Sequence, residues 1–118
     1  MSTDLDIKIT PTRYTVSALP EDDINASTWS ITVEYRGRGK WAVMHHGYCL
    51  GLGEDGNLDW DYEPSPSNRD DDWLERHRFA LETAQKLARV NLPNLQINGL
   101  SVADVLARKA ARQVEGSA

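Results

Sequence analysis

Apolar and polar positions alternate most regularly between residues 29 and 62. Trp29, Ile31, Val33 and Tyr35 alternate with Ser30, Thr32 and Glu34, and Leu58, Trp60 and Tyr62 alternate with Asp59, Asp61 and Glu63. Successive side chains on a strand point to opposite faces, so each run predicts a strand with one apolar and one polar face. Residues 40–50 are apolar at both parities, as expected of a central strand flanked on both sides. Gly37-Arg38-Gly39 supplies a short hairpin connection, and residues 51–57, with Gly51, Gly53 and Gly56, supply the next turn. These segments predict an antiparallel meander.

Upstream, Leu5, Ile7 and Ile9 alternate with Asp6, Lys8 and Thr10 until Pro11. Proline removes a ladder donor, so this strand is either an edge or two short pieces. Tyr14, Val16 and Ala18 continue the apolar row to Pro20, and residues 21–25 read as a loop. Downstream, Pro64-Ser65-Pro66-Ser67-Asn68 ends the last strand of the meander. Asn68, Asp70 or Asp71 can cap a following helix, and the acids at 70–72 suit a helix N-terminus. Trp73, His77, Ala80, Leu81, Ala84, Leu87 and Ala88 recur at helical spacing. One helix over residues 71–91 is the simplest expectation, with two helices broken near Arg78 as the alternative, and Pro93 ends the element. Leu95-Gln96-Ile97 reads as a short edge strand before an Asn98-Gly99 turn. Ser101-Val102-Ala103-Asp104 has the spacing of a capping box, with Asp in the place of Glu. It opens a helix to Gln113, with Val102, Val105, Leu106 and Ala110 on its apolar stripe.

The predicted fold is α+β and a single domain over residues 1–118. It is an antiparallel β-meander of about four strands with two or three C-terminal helices packed on one face, frayed at residues 1–4 and 114–118.

Composition narrows the classes of function. A chain of 118 residues suits one domain with a real core, and four Trp with four Tyr supply large buried areas. A net charge of -5 disfavours nucleic acid as partner, since phosphate binding needs clustered Lys and Arg. The single Cys excludes an internal disulfide and favours a reducing compartment. Residues 1–8 have no apolar core and carry Asp4 and Asp6, so no signal peptide is read there. No apolar run approaches a membrane span. A cytoplasmic protein with no membrane partner is expected. Acids dominate residues 54–75 and bases residues 76–112. This division either guides a charged partner or makes a solvated surface whose halves attract each other.

His45, His46, Cys49 and His77 are the only soft or imidazole metal ligands. On one strand His45 and Cys49 share a face at about 13 Å, too far apart to hold one zinc. Cys49 and His46 fall on opposite faces, so a nucleophilic Cys49 would need His77 to arrive by folding. A buried structural thiol is the ordinary reading. Asp59, Asp61 and Glu63 recur at about 7 Å, loose for a shared hard cation, and read as a solvated polar face. Gly51-Leu52-Gly53 with Gly56 spells Gly-x-Gly-x-x-Gly but opens no helix, so it is no phosphate loop. No cofactor, metal or catalytic residue is expected, and the chain is not expected to be an enzyme.

The aromatic residues carry more weight. Trp41 falls opposite Trp29 or Trp60 in simple hairpin register, and the sheet holds more aromatic surface than one small face needs. Trp and Tyr are enriched where partners bind. With Arg36, Arg38 or Arg69 for phosphate they would also make a stacking platform for a nucleotide, and the plainest alternative is that they pack under the helices. The candidate binding residues are Trp41, His45, His46, Tyr48, Trp60, Asp61 and Arg69.

The run from Trp41 through His45-His46-Gly47-Tyr48-Cys49-Leu50, with Trp60, Pro64-Ser65-Pro66-Ser67, Trp73-Leu74, His77-Arg78-Phe79 and Leu81-Glu82-Thr83-Ala84, resembles a family of small proteins. These are encoded in actinobacteria and their bacteriophages and have no established activity. The resemblance covers residues 14–107 and rests on tryptophan spacing and the Arg78-Phe79 junction. An Asp often precedes the Leu-Glu-Thr-Ala run in such sequences, whereas Ala80 stands there in this chain. The resemblance implies a cytoplasmic accessory protein of phage origin and assigns no functional residue.

The leading functional expectation is a non-enzymatic protein that binds another protein, or a second copy as a homodimer. It would do so through the uncovered sheet face, a strand edge or the acidic loop 51–72. The alternative is a small-ligand, nucleotide-type binder with a concave pocket lined by Trp41, His46 or Trp60. A third reading is an acidic nucleic-acid mimic.

Overall fold

The computed structural model describes residues 5–116, with side chains through residue 111. Strands β1 (Arg13–Ser17), β2 (Ser30–Gly37), β3 (Lys40–His45), β4 (Tyr48–Leu52) and β5 (Leu58–Tyr62) form one antiparallel sheet in chain order. The meander is the expected one, with five strands. Residues 40–50 are not a single strand, because His46 (φ 48) and Gly47 (φ 82) turn the chain back on itself. Two successive left-handed residues make the hairpin turn whose twist matches its strands. Both strands of this hairpin lie inside the sheet, so both are apolar, and no change of pattern marks the turn.

The apolar row of β1 begins at Tyr14. Pro11 separates it from residues 5–10, which are no edge strand of this sheet: Leu5, Ile7 and Ile9 stand 74%, 81% and 100% exposed.

Register places Val33 opposite Val43, Tyr35 opposite Trp41 and Leu50 opposite Trp60. Trp41 therefore faces neither Trp29 nor Trp60. One face of the sheet carries Val16, Ile31, Val33, Val43 and Leu50, and the other carries Ala42, Met44, Cys49 and Gly51.

Of the two arrangements open over residues 71–91, the structure has the one broken near Arg78, with two helices, α1 (Asp71–His77) and α2 (Leu81–Asn91), in place of a single helix. Asp70 caps α1, its carboxylate accepting from the Trp73 N–H at 2.8 Å. The break is extended, with Arg78 at φ -129 and ψ 135. Pairing of β3 with β4 ends at Met44–Cys49, so the two strands diverge beyond it. Residues 78–80 fill the opening: the Trp41 N–H donates to the Phe79 carbonyl at 2.7 Å, and the Phe79 N–H to the Trp41 carbonyl at 2.9 Å. Helical spacing continues across the break because side-chain periodicity does not register a backbone partner so distant in sequence.

This crossing divides the helical cover between the faces. On one face α2 lies over β1, β2 and β3, with Ala84 and Ala88, one turn apart, in the core with Ile31, Val33, Val43 and Leu50. Full burial of each of those four large side chains contributes about 1.5–3 kcal/mol. On the other face α1 lies over β4, where Trp73 covers Ala42, Met44 and Cys49.

A small hairpin follows, β6 (Gln96–Ile97) and β7 (Leu100–Ser101), turned at Asn98 (φ 53) and Gly99 (φ 77) as expected. The capping box is present at the start of α3 (Val102–Gly116). The Ser101 hydroxyl accepts from the Asp104 N–H at 3.2 Å, and the Asp104 carboxylate from the Ser101 N–H at 3.0 Å. Val102 and Val105 join the core, and Lys109 forms an ion pair with Asp23. This helix passes the expected end at Gln113 and takes in residues 114–116. The fraying expected of residues 1–4 and 117–118 lies outside the described residues. No helix among the described residues is long and apolar enough to cross a membrane.

Candidate interaction surface

On the α1 side, side chains close over one another. The Trp73 and His77 rings stack at 4.1 Å and 6°, and the Arg78 guanidinium lies 5.0 Å from the Trp73 ring centre. His77 Nδ1 meets the Trp73 carbonyl at 2.7 Å and Nε2 the Asp61 carboxylate at 2.8 Å. Both partners are acceptors, so only the doubly protonated ring donates to both. The ring rests on Gly51, where a Cβ would fall 2.2 Å from Nε2. A strand glycine marks such a close approach. This is the role of Gly51, which reads from sequence as one letter of an accidental motif.

Glu63 gathers Arg78 at 2.6 Å, Arg36 at 3.1 Å and Arg69 at 3.7 Å. Burial alone would favour its neutral form, but the hydrogen bonds from Arg36 and Arg78, with their charges, hold its carboxyl below the ordinary range. The solvated acidic face expected of β5 is corrected accordingly. Glu63 is nearly buried among arginines and Asp61 is bound to His77, both because residues distant in sequence fold onto them.

Cys49 is buried, with Sγ 3.8 Å from the His77 carbonyl and 3.7 Å from Arg78. Burial pushes its thiol up to about 11, and the His77 ring is committed to Asp61 and Trp73. The turn also places His45 opposite Tyr48 and Met44 opposite Cys49, so His45 and Cys49 point to opposite faces instead of sharing one. Among the described residues no group of three or more His, Cys, Asp or Glu is placed to hold a metal ion.

The opposite face of β4 and β5 lies beyond the strands that α2 covers. Cross-strand pairing sets Tyr48 against Tyr62, Leu50 against Trp60 and Leu52 against Leu58. Apart from buried Leu50 and half-buried Trp60, the row is open: Tyr48 is 48% exposed, Leu52 44%, Leu58 39% and Tyr62 74%. Tyr48 and Tyr62 meet edge to face at 6.1 Å. His45 stacks on His46 at 4.3 Å and lies 6.0 Å from Trp60. Nδ1 of His45 donates to the Ser30 carbonyl at 3.0 Å. Burial lowers the pKa of His45, that hydrogen bond opposes the shift, and neighbouring His46 adds to it.

Four candidate residues, His45, His46, Tyr48 and Trp60, thus meet on one surface. Trp41 does not: it is buried between Tyr14 and Tyr35, with ring centres at 5.6 Å and 5.2 Å. Asp61 and Arg69 belong to the network under α1. Leu52, Leu58 and Tyr62 complete the surface and were not among the candidates. The alternation of β5 already placed Leu58 and Tyr62 beside Trp60, but only the turn at His46-Gly47 shows that β4 pairs with them.

The outer margin of β5 is also open. Gly53 N–H donates to Asn57 O at 2.8 Å and Glu63 N–H to Gly47 O at 3.4 Å. Antiparallel pairing alternates, so the hydrogen-bonding groups of Leu58, Trp60 and Tyr62 point away from β4. No described residue extends the sheet beyond β5. At its centre the Trp60 N–H is occupied by the neighbouring Asp59 carboxylate at 2.9 Å.

Two concave sites are also present, and the first shares His45 and His46 with this surface. A trough of about 910 Å³ runs over the polar side of β1 and β2, lined by Arg13, Thr15, Ser17, Thr32 and Glu34 with His46 among its lining. A cleft of about 680 Å³ beside α1 is lined by Arg36, Arg38, Lys40 and Arg78 with Asp71 and Glu75. Neither Trp41 nor Trp60 lines either one. No protein-family model matches the chain, and neither a curated protein nor a solved structure matches it.

Proposed function

We propose that this chain is a non-enzymatic accessory protein that acts by binding another protein through the exposed face of β4 and β5. One observation carries the reading: Tyr48, Leu52, Leu58 and Tyr62 stand open in one row around Trp60. Apolar patches of this kind on a folded domain mark places where a partner excludes water, and Tyr and Trp are the residues that most often anchor such contacts. The same row costs the free protein solvation it does not recover by folding alone. An accessory role of phage origin is what the sequence resemblance implies.

The test compares the native chain with a Leu58→Lys, Tyr62→Lys double variant, used as bait in cells from which the protein derives. Both substituted side chains are exposed, so the fold, checked by circular dichroism, is expected to persist. Specific partners, including a differently tagged second copy, are expected with the native bait and lost with the variant. Retention of the same partners by the variant would remove the surface from the reading.

A further inference from the structure

The second feature left open by the fold is the segment before β1. Leu5, Ile7 and Ile9 are among the most exposed large apolar residues described, and they alternate with Asp6, Lys8 and Thr10. That is the pattern of a strand with one apolar face, held in no sheet. Thr12 gives its carbonyl to the Tyr35 N–H, and the chain departs from the sheet on the N-terminal side of that bond. We infer that residues 5–10 are the strand that completes β5 of a second copy of this chain, pairing along its open margin and covering its apolar row. The inference rests on the surface proposed above and names its occupant.

Three arguments select this arrangement. The first is pattern. Three apolar residues at alternate positions on the arm match Leu58, Trp60 and Tyr62 at the same spacing, in either strand direction. With Ile7 beside Trp60, Lys8 lies beside one of Asp59 and Asp61 and Asp6 beside the other, so the apolar spacing and not the charge pattern carries the match. In the antiparallel direction Lys8 stands beside Asp59, and pairing of the arm requires the Asp59 carboxylate to give up the Trp60 N–H that it now accepts.

The second argument is reach. The arm leaves from β1, and β1 and β5 are opposite margins of the sheet. Four strand spacings amount to about 19 Å, and residues 5–11 fully extended span about 23 Å. The arm would spend its length crossing its own sheet, over a face covered by α1 or α2, with nothing left to lie along β5. Another copy presents β5 without that crossing.

The third argument concerns the competing margin. β1 offers Arg13 and Thr15 as its exposed side chains, whereas Tyr14 and Val16 already lean into the core. An arm added there would leave the β5 row uncovered. Two copies that exchange arms reciprocally close as a dimer, and exchange without closure makes a chain of copies.

The experiment measures mass by light scattering and sedimentation over a range of concentrations, for three full-length proteins. The native chain is expected to self-associate. An Ile7→Asp, Ile9→Asp variant, altered only at exposed side chains, is expected to be monomeric and still cooperatively folded, with a melting temperature that no longer depends on protein concentration. To that monomer a synthetic peptide of residues 5–12 is then added. It is expected to shift the amide resonances of Leu58, Trp60 and Tyr62, and a peptide N-methylated at the pairing positions is expected not to.

A native chain that stays monomeric overturns the exchange. So does undiminished association of the arm variant. In that second case the Leu58→Lys, Tyr62→Lys protein separates the two ideas. If it is monomeric, the β4–β5 surface stands and only the arm is wrong. If it also associates as the native chain does, the surface falls as well.

Discussion

Gly51 has no side chain because the His77 ring occupies the space above its Cα. A Cβ placed 2.2 Å from Nε2 cannot be accommodated by a small rotation, since the ring is also stacked on Trp73 and bonded to Asp61. Gly51→Ala is expected to cost at least the 1–3 kcal/mol or so typical of overpacking, read as a lower midpoint in thermal or urea unfolding. Adding His77→Ala to that variant should cost less than the sum of the two single changes, because both disturb one contact. Additive losses would show that the ring and the glycine do not interact. This contact was not legible beforehand: glycine in a loop-rich stretch reads as turn, and the ring that excludes a side chain comes from another element. Glu63 teaches the same lesson. At the end of an alternating run it reads as solvated, and its three arginine neighbours come from β2, from the extended break before α2 and from the segment preceding α1. Trp41 stands at the other extreme. Its size made it a binding candidate, and the same size buries it between two tyrosines.

At the level of elements, local signals were the ones that could be read. The capping box at Ser101 and Asp104 and the turn at Asn98-Gly99 depend on residues a few positions apart, and both are in place. Alternation gave β2 and β5 their faces. The turn at His46-Gly47 was hidden, because His46 is not a usual turn residue and the flanking strands are both interior. The break at residues 78–80 was weakly marked. Ala80 offers no side-chain cap to α2, so nothing local announces a new helix there. What ends α1 is the pairing of Phe79 with Trp41, a long-range contact that helical periodicity does not encode. Residues 5–10 are the informative failure. Their pattern predicts a strand, and within one copy no strand is formed.

For the molecule as a whole, two of the shifted groups, both part-buried, set a dependence on acidity. His45 and Glu63 both titrate lower in the folded chain than in the unfolded one, so the unfolded chain takes up their protons first as pH falls. Stability from these groups is therefore complete above pH 6.5, the ordinary value for histidine, and starts to decline below it through His45. A further loss begins below 4.5, the ordinary value for Glu, as Glu63 releases Arg36 and Arg78. Urea unfolding at stepped pH is expected to show both declines, with His45→Asn removing the first. A native profile without slope below 6.5 would contradict the assignment to His45.

The passage of residues 78–80 between β3 and β4 works as a rivet, with α1 as its head on one side and α2 on the other. Neither head lifts without dragging backbone through the slot, so the hydrophobic layers above and below the sheet are yoked to one cooperative event. Fluorine labels on Trp73, in α1, and Trp29, in the core with α2, should report a single melting midpoint. Two separated midpoints would mean that the rivet slips.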